Sequence, residues 1–229
     1  NQPGTYQDVT DTTVTAQFNA IKNTLPKSLK NYNSVHFLAW TTTPWTLPSN
    51  TALTVGPKIK YTIVSTFNQY TKTPIHVVLA KNLVSKVLSN SFFKVEKKEE
   101  LKLETNAKNK IPYFVNNTFL GSDLIGVQYE QLWSEAPLPY KNAENAFRII
   151  GGDFVTTEDG TGIVHTAPTF GADDAKVAKE ANPEIPPMLI YDENQQLVPL
   201  VDLQGRFRPE LGELGGKYVK NEYYSSTEK

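Results

Sequence analysis

Apolar and polar positions alternate with a period of two along several short stretches, as expected of strands with one buried face. In residues 12–18, Val14, Ala16 and Phe18 alternate with polar side chains. Residues 34–42, 60–67 and 74–80 are β-branched or aromatic runs bounded by Asn, Gly or Pro, and each predicts a strand. The spacing changes at 82–89, where Leu83, Val84, Val87 and Leu88 recur at helical intervals. Residues 94–103 are dense in charge and leave helix and strand open. Residues 147–155 and 161–166 flank Glu158-Asp159-Gly160, and Asp-Gly between two strand-like runs predicts a hairpin. Beyond Pro168, Ala175, Ala178 and Ala181 recur among Lys and Glu, predicting a helix over 172–181 that Asn182-Pro183 ends. Many short strands with 13 glycines and 15 prolines point to a barrel or sandwich core flanked by helices. Residues 1–6 and 223–229 read as terminal linkers of one domain spanning 1–229, and an inserted domain would bring such ends close together.

Composition narrows the class. Charged residues make up 21% of the chain and hydrophobic ones 39%, an ordinary globular balance. No apolar run approaches the ~18 residues of a membrane span, and no basic-then-apolar leader is visible, so no membrane partner is expected. Cysteine is absent, which removes disulfides, thiolate nucleophiles and cysteine zinc sites together and fits a reducing, cytoplasmic setting. The net charge of −1 matters more, because a protein that grips a nucleic-acid backbone unaided carries a basic excess. Lys97-Lys98-Glu99-Glu100 even cancels its own charge. A nucleic-acid partner would therefore be held mostly by other parts of a larger protein. Asn1 as first residue and Met188 as sole methionine fit such an excised piece.

Candidate chemistry concentrates in two places. Trp40-Thr41-Thr42-Thr43-Pro44-Trp45-Thr46-Leu47-Pro48-Ser49-Asn50 sets three hydroxyls at the end of the apolar run Val35-His36-Phe37-Leu38-Ala39. A buried hydroxyl costs free energy unless it is partnered, so a strand end lining a wet pocket is one reading. An ordinary strand end rich in β-branched residues is the other. If the run stays extended, Thr41 and Thr43 face one way and Thr42 the other, so all three can serve one ligand only where the chain bends. The second place is Gly160-Thr161-Gly162-Ile163-Val164-His165-Thr166-Ala167-Pro168-Thr169-Phe170-Gly171-Ala172-Asp173-Asp174. His165 can be a packed residue or a pocket wall. Asp174 can stabilise a helix N-terminus, as Asp173 can, or pair with a ligand ammonium at a pocket edge. The tight turn alone accounts for Gly160 and Gly162. No Gly-x-Ser-x-Gly elbow is present, and His36 and His76 lack the helical spacing of zinc hydrolases.

Both segments resemble the two signatures of the editing domain inserted in isoleucyl-tRNA synthetases. Valyl and leucyl relatives usually carry arginine where this chain has Thr43 and an acidic residue where it has Trp45. They also tend to read Pro-Ala-His-Asp where this chain has Pro168-Thr169-Phe170-Gly171, and both departures favour the isoleucyl branch. The resemblance implies a β-rich α+β fold with a closed β-barrel core and flanking helices. It further implies hydrolysis of the ester of mischarged valyl-tRNA(Ile), and of valyl-adenylate as a second substrate. Asp174 resembles the carboxylate that anchors the α-ammonium, and His165 the wall that rejects isoleucine. Thr41, Thr42 and Thr43 resemble the group around the terminal adenosine and the hydrolytic water, with Trp45, Thr46 and Gly162 shaping the substrate pocket. The implied partners are the 3′ end of aminoacylated tRNA(Ile) and the rest of a parent synthetase, with the domain itself monomeric. No His-Ile-Gly-His or Lys-Met-Ser-Lys-Ser occurs, so amino-acid activation is not expected. No cofactor is expected in this domain, since ATP, magnesium and zinc would serve other parts of the parent. A valyl- or leucyl-type editing domain, a catalytically silent tRNA-docking module and an unrelated β-rich binding domain are the alternatives.

Overall fold

The computed structural model describes residues 12–103 and 110–220; the expected linkers at 1–6 and 223–229 lie outside the described residues. The alternating stretch of residues 12–18 forms β1, Val14–Asn19, with Ala16 and Phe18 buried on one face. It pairs antiparallel with β2, Val35–Thr41. β4, Lys60–Phe67, and β5, Pro74–Ala80, have the bounds expected from the sequence and pair with each other antiparallel. β2 lies parallel to β5, an arrangement that needs a crossover between them.

That crossover carries β3, Ala52–Val55, a strand too short and too uniformly buried to show a period of two. β6, Phe92–Lys94, and β7, Ile111–Leu120, complete a six-stranded mixed sheet in the order β1-β2-β5-β4-β7-β6. The 82–89 stretch gives only a 3-10 turn, Lys81–Leu83, and one helical turn, α1, Val84–Val87. Most of the charge-dense 94–103 stretch is neither helix nor strand: β6 ends at Lys94, and one 3-10 turn follows at Lys98–Glu100.

The expected hairpin is not formed. β8, Arg148–Gly151, and β9, Ile163–Thr166, belong to one three-stranded sheet, but β3 lies between them, parallel to β8 and antiparallel to β9. All four β3 residues are buried, so this strand needs ladder partners on both edges. The 152–162 connection is long enough to cross it. Asp159-Gly160 still turns the chain, with Gly160 at φ +70 and Gly162 at φ +75, but inside that longer loop.

No closed barrel is found among the described strands. The two sheets are instead tied at their edges, by isolated bridges Ala20↔Tyr129 and Gln128↔Arg148 on one side. On the other side Ala80 N–H donates to Thr161 O at 2.8 Å. Between them sits the main core, with Phe18, Phe37, Tyr61, Ile63 and Ile149. A helix, α2, Ala172–Glu180, lies against β3 and β8 through Val177 and Ala178. A small C-terminal pair, β10 (Leu189–Tyr191) and β11 (Leu197–Pro199), buries Met188, Ile190 and Leu200 in a satellite core.

Gly162 is fixed by more than its turn. A Cβ there would sit 2.4 Å from the Ala80 Cβ, and the Gly162 carbonyl accepts the buried Tyr61 hydroxyl at 2.6 Å. Gly162→Ala combines left-handed strain with a clash between two strands. It is expected to destabilise the fold by about 2–3 kcal/mol. Urea unfolding of the two proteins measures this, and an unchanged midpoint would contradict the close approach.

Candidate active site

β2 runs out at Thr41, and the chain bends at once into a 3-10 helix, Pro44–Ser49. Pro44 accounts for the break, because its ring disfavours helical geometry at the preceding residue and it has no N–H for a ladder. Thr43 accordingly sits at φ −123, ψ 65. The bend brings Thr41, Thr42 and Thr43 to the wall of a single cavity of about 580 Å³. Trp45 and Thr46 line it from the 3-10 turn, Gly162 and His165 from β9 and its approach, and Asp174 from the first turn of α2. The two sequence segments thus share one hollow, and every residue singled out in them as a site candidate faces it.

Most of these hydroxyls are committed to one another. Thr41 Oγ1 accepts from Thr43 N–H at 3.0 Å and lies 3.1 Å from Thr43 Oγ1. Thr46 Oγ1 donates to Thr43 O at 2.8 Å, which closes the turn. Thr42 differs: it is exposed, and its hydroxyl has no protein partner among the described residues. It is the hydroxyl of the run with its full bonding capacity available.

His165 is buried, and both its ring nitrogens are engaged. Asn50 fixes their roles. Its Nδ2 donates to Ala52 O at 2.8 Å, and its Oδ1 accepts the Tyr129 hydroxyl at 2.7 Å, so the amide has one orientation. The same Nδ2 lies 2.8 Å from His165 Nδ1, which must therefore be the acceptor. The ring proton then sits on Nε2 and is donated to Thr46 Oγ1 at 3.0 Å. A proton on Nδ1 would face the Asn50 amide hydrogens. This agrees with burial pushing the His165 pKa down to about 4. A neutral ring with its lone pair already bonded has no free nitrogen to take up a proton.

That pKa has a stability consequence. Between about 4 and the ordinary 6.5, the unfolded chain binds a proton at His165 that the folded one does not. This contribution is therefore present above pH 6.5 and is lost as pH falls toward 4. Imidazole NMR should show no titration of His165 from pH 8 to about 5, in the Nε2–H tautomer; a midpoint near 6.5 would sink the assignment.

Asp174 Oδ2 accepts the Ala167 N–H at 2.8 Å, which pins the carboxylate across the turn joining β9 to α2. Its Oδ1 has no protein partner among the described residues. Burial raises the Asp174 pKa above the usual carboxylate value, the Ala167 bond opposes this, and Asp173 adds to it. The site thus holds a half-buried carboxylate without a protein cation. Trp45 lines the wall and also packs against the satellite core, with Lys220 Nζ 4.7 Å from its ring centroid. No group of three metal-ligating side chains occurs among the described residues, and none of their helices is long and apolar enough to cross a membrane.

Two participants carried little sequence signal. Asn50 stood out only as a neighbour of the tryptophan-flanked run. Tyr129 lies in Gln128-Tyr129-Glu130 without periodicity or motif, and only the fold brings it under Asn50.

With this geometry in place, comparisons with known proteins are informative. No protein-family model matches the chain. Curated relatives do. The chain is 51% identical over 232 residues to the isoleucine--tRNA ligase of Cytophaga hutchinsonii, covering 100% of this chain and 19% of that protein. It is 53% identical over 223 residues to that of Bacteroides fragilis, covering 96% of this chain and 18% of the other. The chain spans about a fifth of the length of these relatives. Among solved structures, the P. knowlesi cytosolic leucyl-tRNA synthetase editing domain superposes with a TM-score of 0.53 at 13% identity. That match covers 75% of this chain and 63% of the other, and shows a shared fold. The chain belongs to the isoleucine--tRNA ligase family and corresponds to one segment of its members.

Proposed function

We propose that this chain is the proofreading hydrolase segment of an isoleucine--tRNA ligase and cleaves the ester of valyl-tRNA(Ile). The observation that carries the reading is the single cavity shared by the threonine run, His165 and an unpaired carboxylate at Asp174. Asp174 holds the α-ammonium of the misattached residue, because a carboxylate shielded from water and lacking a protein cation is suited to a ligand cation. His165 fills the space an extra methyl would need. Thr42 offers its free hydroxyl to the ribose or the attacking water, while Thr41, Thr43 and Thr46 hold the bend that presents it. Gly162 lets β9 approach closely enough to complete the wall.

No general base is assigned among the cavity side chains, since Asp174 is taken up by the ammonium. The His165 lone pair is bonded to Asn50. The ester is already activated, so positioning supplies much of the acceleration, and the vicinal ribose hydroxyl of the substrate serves as proton relay. Valyl-adenylate is a second substrate for the same pocket. The domain works as a monomeric unit in the cytoplasm, with the remainder of the parent enzyme holding most of the tRNA. ATP, magnesium and zinc play no part in this step.

Deacylation of valyl-, isoleucyl-, threonyl- and norvalyl-tRNA by the same preparation tests the reading. Preferred hydrolysis of the valyl ester is the expected result, and preference for threonine or norvaline would assign the chain to a valyl or leucyl type instead. No hydrolysis of any ester would leave a docking module. Replacing the vicinal ribose hydroxyl by hydrogen should slow the reaction about a hundredfold, and an unchanged rate would remove the relay.

A further inference from the structure

The proposed chemistry leaves two neighbouring features unused. Trp40, Phe154 and Phe170 line the cavity, yet these residues remain 38%, 42% and 41% exposed. They come from β2 and from the loops on either side of β9, so no single local pattern accounts for their convergence. Trp40 lies over Gly160, where a Cβ would be 3.3 Å from the indole Cε3. Three residues upstream, Thr157 lines a second hollow of about 570 Å³ together with Lys58, Lys60 and Lys81. Asn82 Nδ2 donates to Thr157 Oγ1 at 2.9 Å in the wall of this second hollow, while the adjacent Thr156 lines the first, so the 152–162 loop walls both. No acidic residue lines the second hollow. None of these three lysines forms an ion pair among the described residues, whereas Lys86 close by is neutralised by Asp159 at 2.5 Å. On a chain of net charge −1, an acid-free trio of lysines is a local exception.

We propose that rim and groove form one track for an unpaired nucleic-acid strand, with bases stacking on the three rings and phosphates running past the three lysines. Aromatic faces accept any base without reading its edges, and a short basic groove follows the backbone of a single strand. Three lysines are too few to hold a duplex against physiological salt, which fits a short unpaired end. The proposal rests on the reading of the cavity as the receiver of a 3′ aminoacyl end, and it assigns the route by which that end arrives.

The test uses a fluorescent single-stranded RNA of roughly eight nucleotides, within the span of such platforms, and follows anisotropy across a salt series. Phe154→Ala combined with Phe170→Ala is expected to weaken binding at least about tenfold. Lys58→Ala, Lys60→Ala and Lys81→Ala together should reduce the slope of log K against log salt by about 2, from ~0.7 per phosphate. All five substituted side chains are exposed, and thermal melts check that both variants fold. No measurable binding by the unsubstituted chain, equal behaviour of all three proteins, or a response in only one variant would each overturn the joint track. Hydrolysis of a phosphate-free valyl-adenosine ester by the unsubstituted chain, measured alongside, separates the two claims. Hydrolysis with unaltered RNA binding in the variants defeats the track alone, and the expected binding losses without hydrolysis defeat the reading of the cavity alone.

Discussion

Asp174→Asn is expected to lower kcat/KM for valyl-ester hydrolysis about a hundredfold, the loss of a charged hydrogen bond in a shielded site. The substitution is chosen because asparagine keeps an oxygen to accept the Ala167 N–H and so preserves the turn between β9 and α2. Only the charge is removed. The fold should not suffer. Burial raises the Asp174 pKa, so the folded protein favours its protonated form. The stability linked to that proton is present below the unfolded carboxyl value and is lost as pH rises through the raised one. At neutral pH an amide in this place is therefore neutral or slightly stabilising, and thermal melts should show an unchanged or higher midpoint. Activity has the opposite dependence. Hydrolysis by the unsubstituted protein should decline as pH falls through the raised Asp174 value, and the variant should lack that limb. A variant with normal kcat/KM would show that the ammonium is held elsewhere, and a large fall in the melting midpoint would assign Asp174 to structure instead.

The contrast between what the sequence disclosed and what it hid has a physical origin. The threonine run and the His165–Asp174 segment are contiguous in the chain, but their residue types alone left ordinary structural readings open, and the resemblance to two signatures singled them out as one site. β4 and β5 were legible because their apolar residues are many and bounded by Asn, Gly or Pro. β3 was not, since four consecutive buried residues carry no alternation. Missing β3 produced the false hairpin, because an Asp-Gly turn reports local geometry and not which strand fills the adjacent ladder. β7 was hidden differently. Its apolar start is followed by Asn116-Asn117-Thr118, yet Asn116 belongs in the sheet, where its amide donates to Ser65 Oγ at 2.8 Å beside a register shift. Tyr129 shows the general limit: its role is set by a bond across 79 positions of chain to Asn50, and nothing local announces it.

His165→Ala is expected to change selectivity where Asp174→Asn changes only rate. Removing the imidazole opens space beside the substrate side chain, and the ratio of isoleucyl to valyl hydrolysis should rise about ten- to a hundredfold. The scale is that of one methylene in an apolar pocket, ~1–3 kcal/mol, a figure measured on synthetases of this class and not obtained from this structure. The variant also strands two groups, for Asn50 Nδ2 loses its acceptor and Thr46 Oγ1 its donor. Left dry, they would cost about 1–3 kcal/mol of stability. The cavity beside them is polar enough to admit water in place of the ring, so the measured loss should fall at the lower end. Asn50 keeps its bonds to Ala52 and Tyr129, so the remaining wall stays in place. Parallel deacylation of valyl- and isoleucyl-tRNA reads the effect directly. A folded variant with an unaltered ratio would mean that the isoleucine methyl is turned away by other atoms, and the role of His165 would shrink to packing. The two substitutions together make the stricter comparison: a rate loss shared by both esters with Asp174→Asn, and a changed ratio with His165→Ala, can both hold only if one cavity grips the amine and measures the side chain separately.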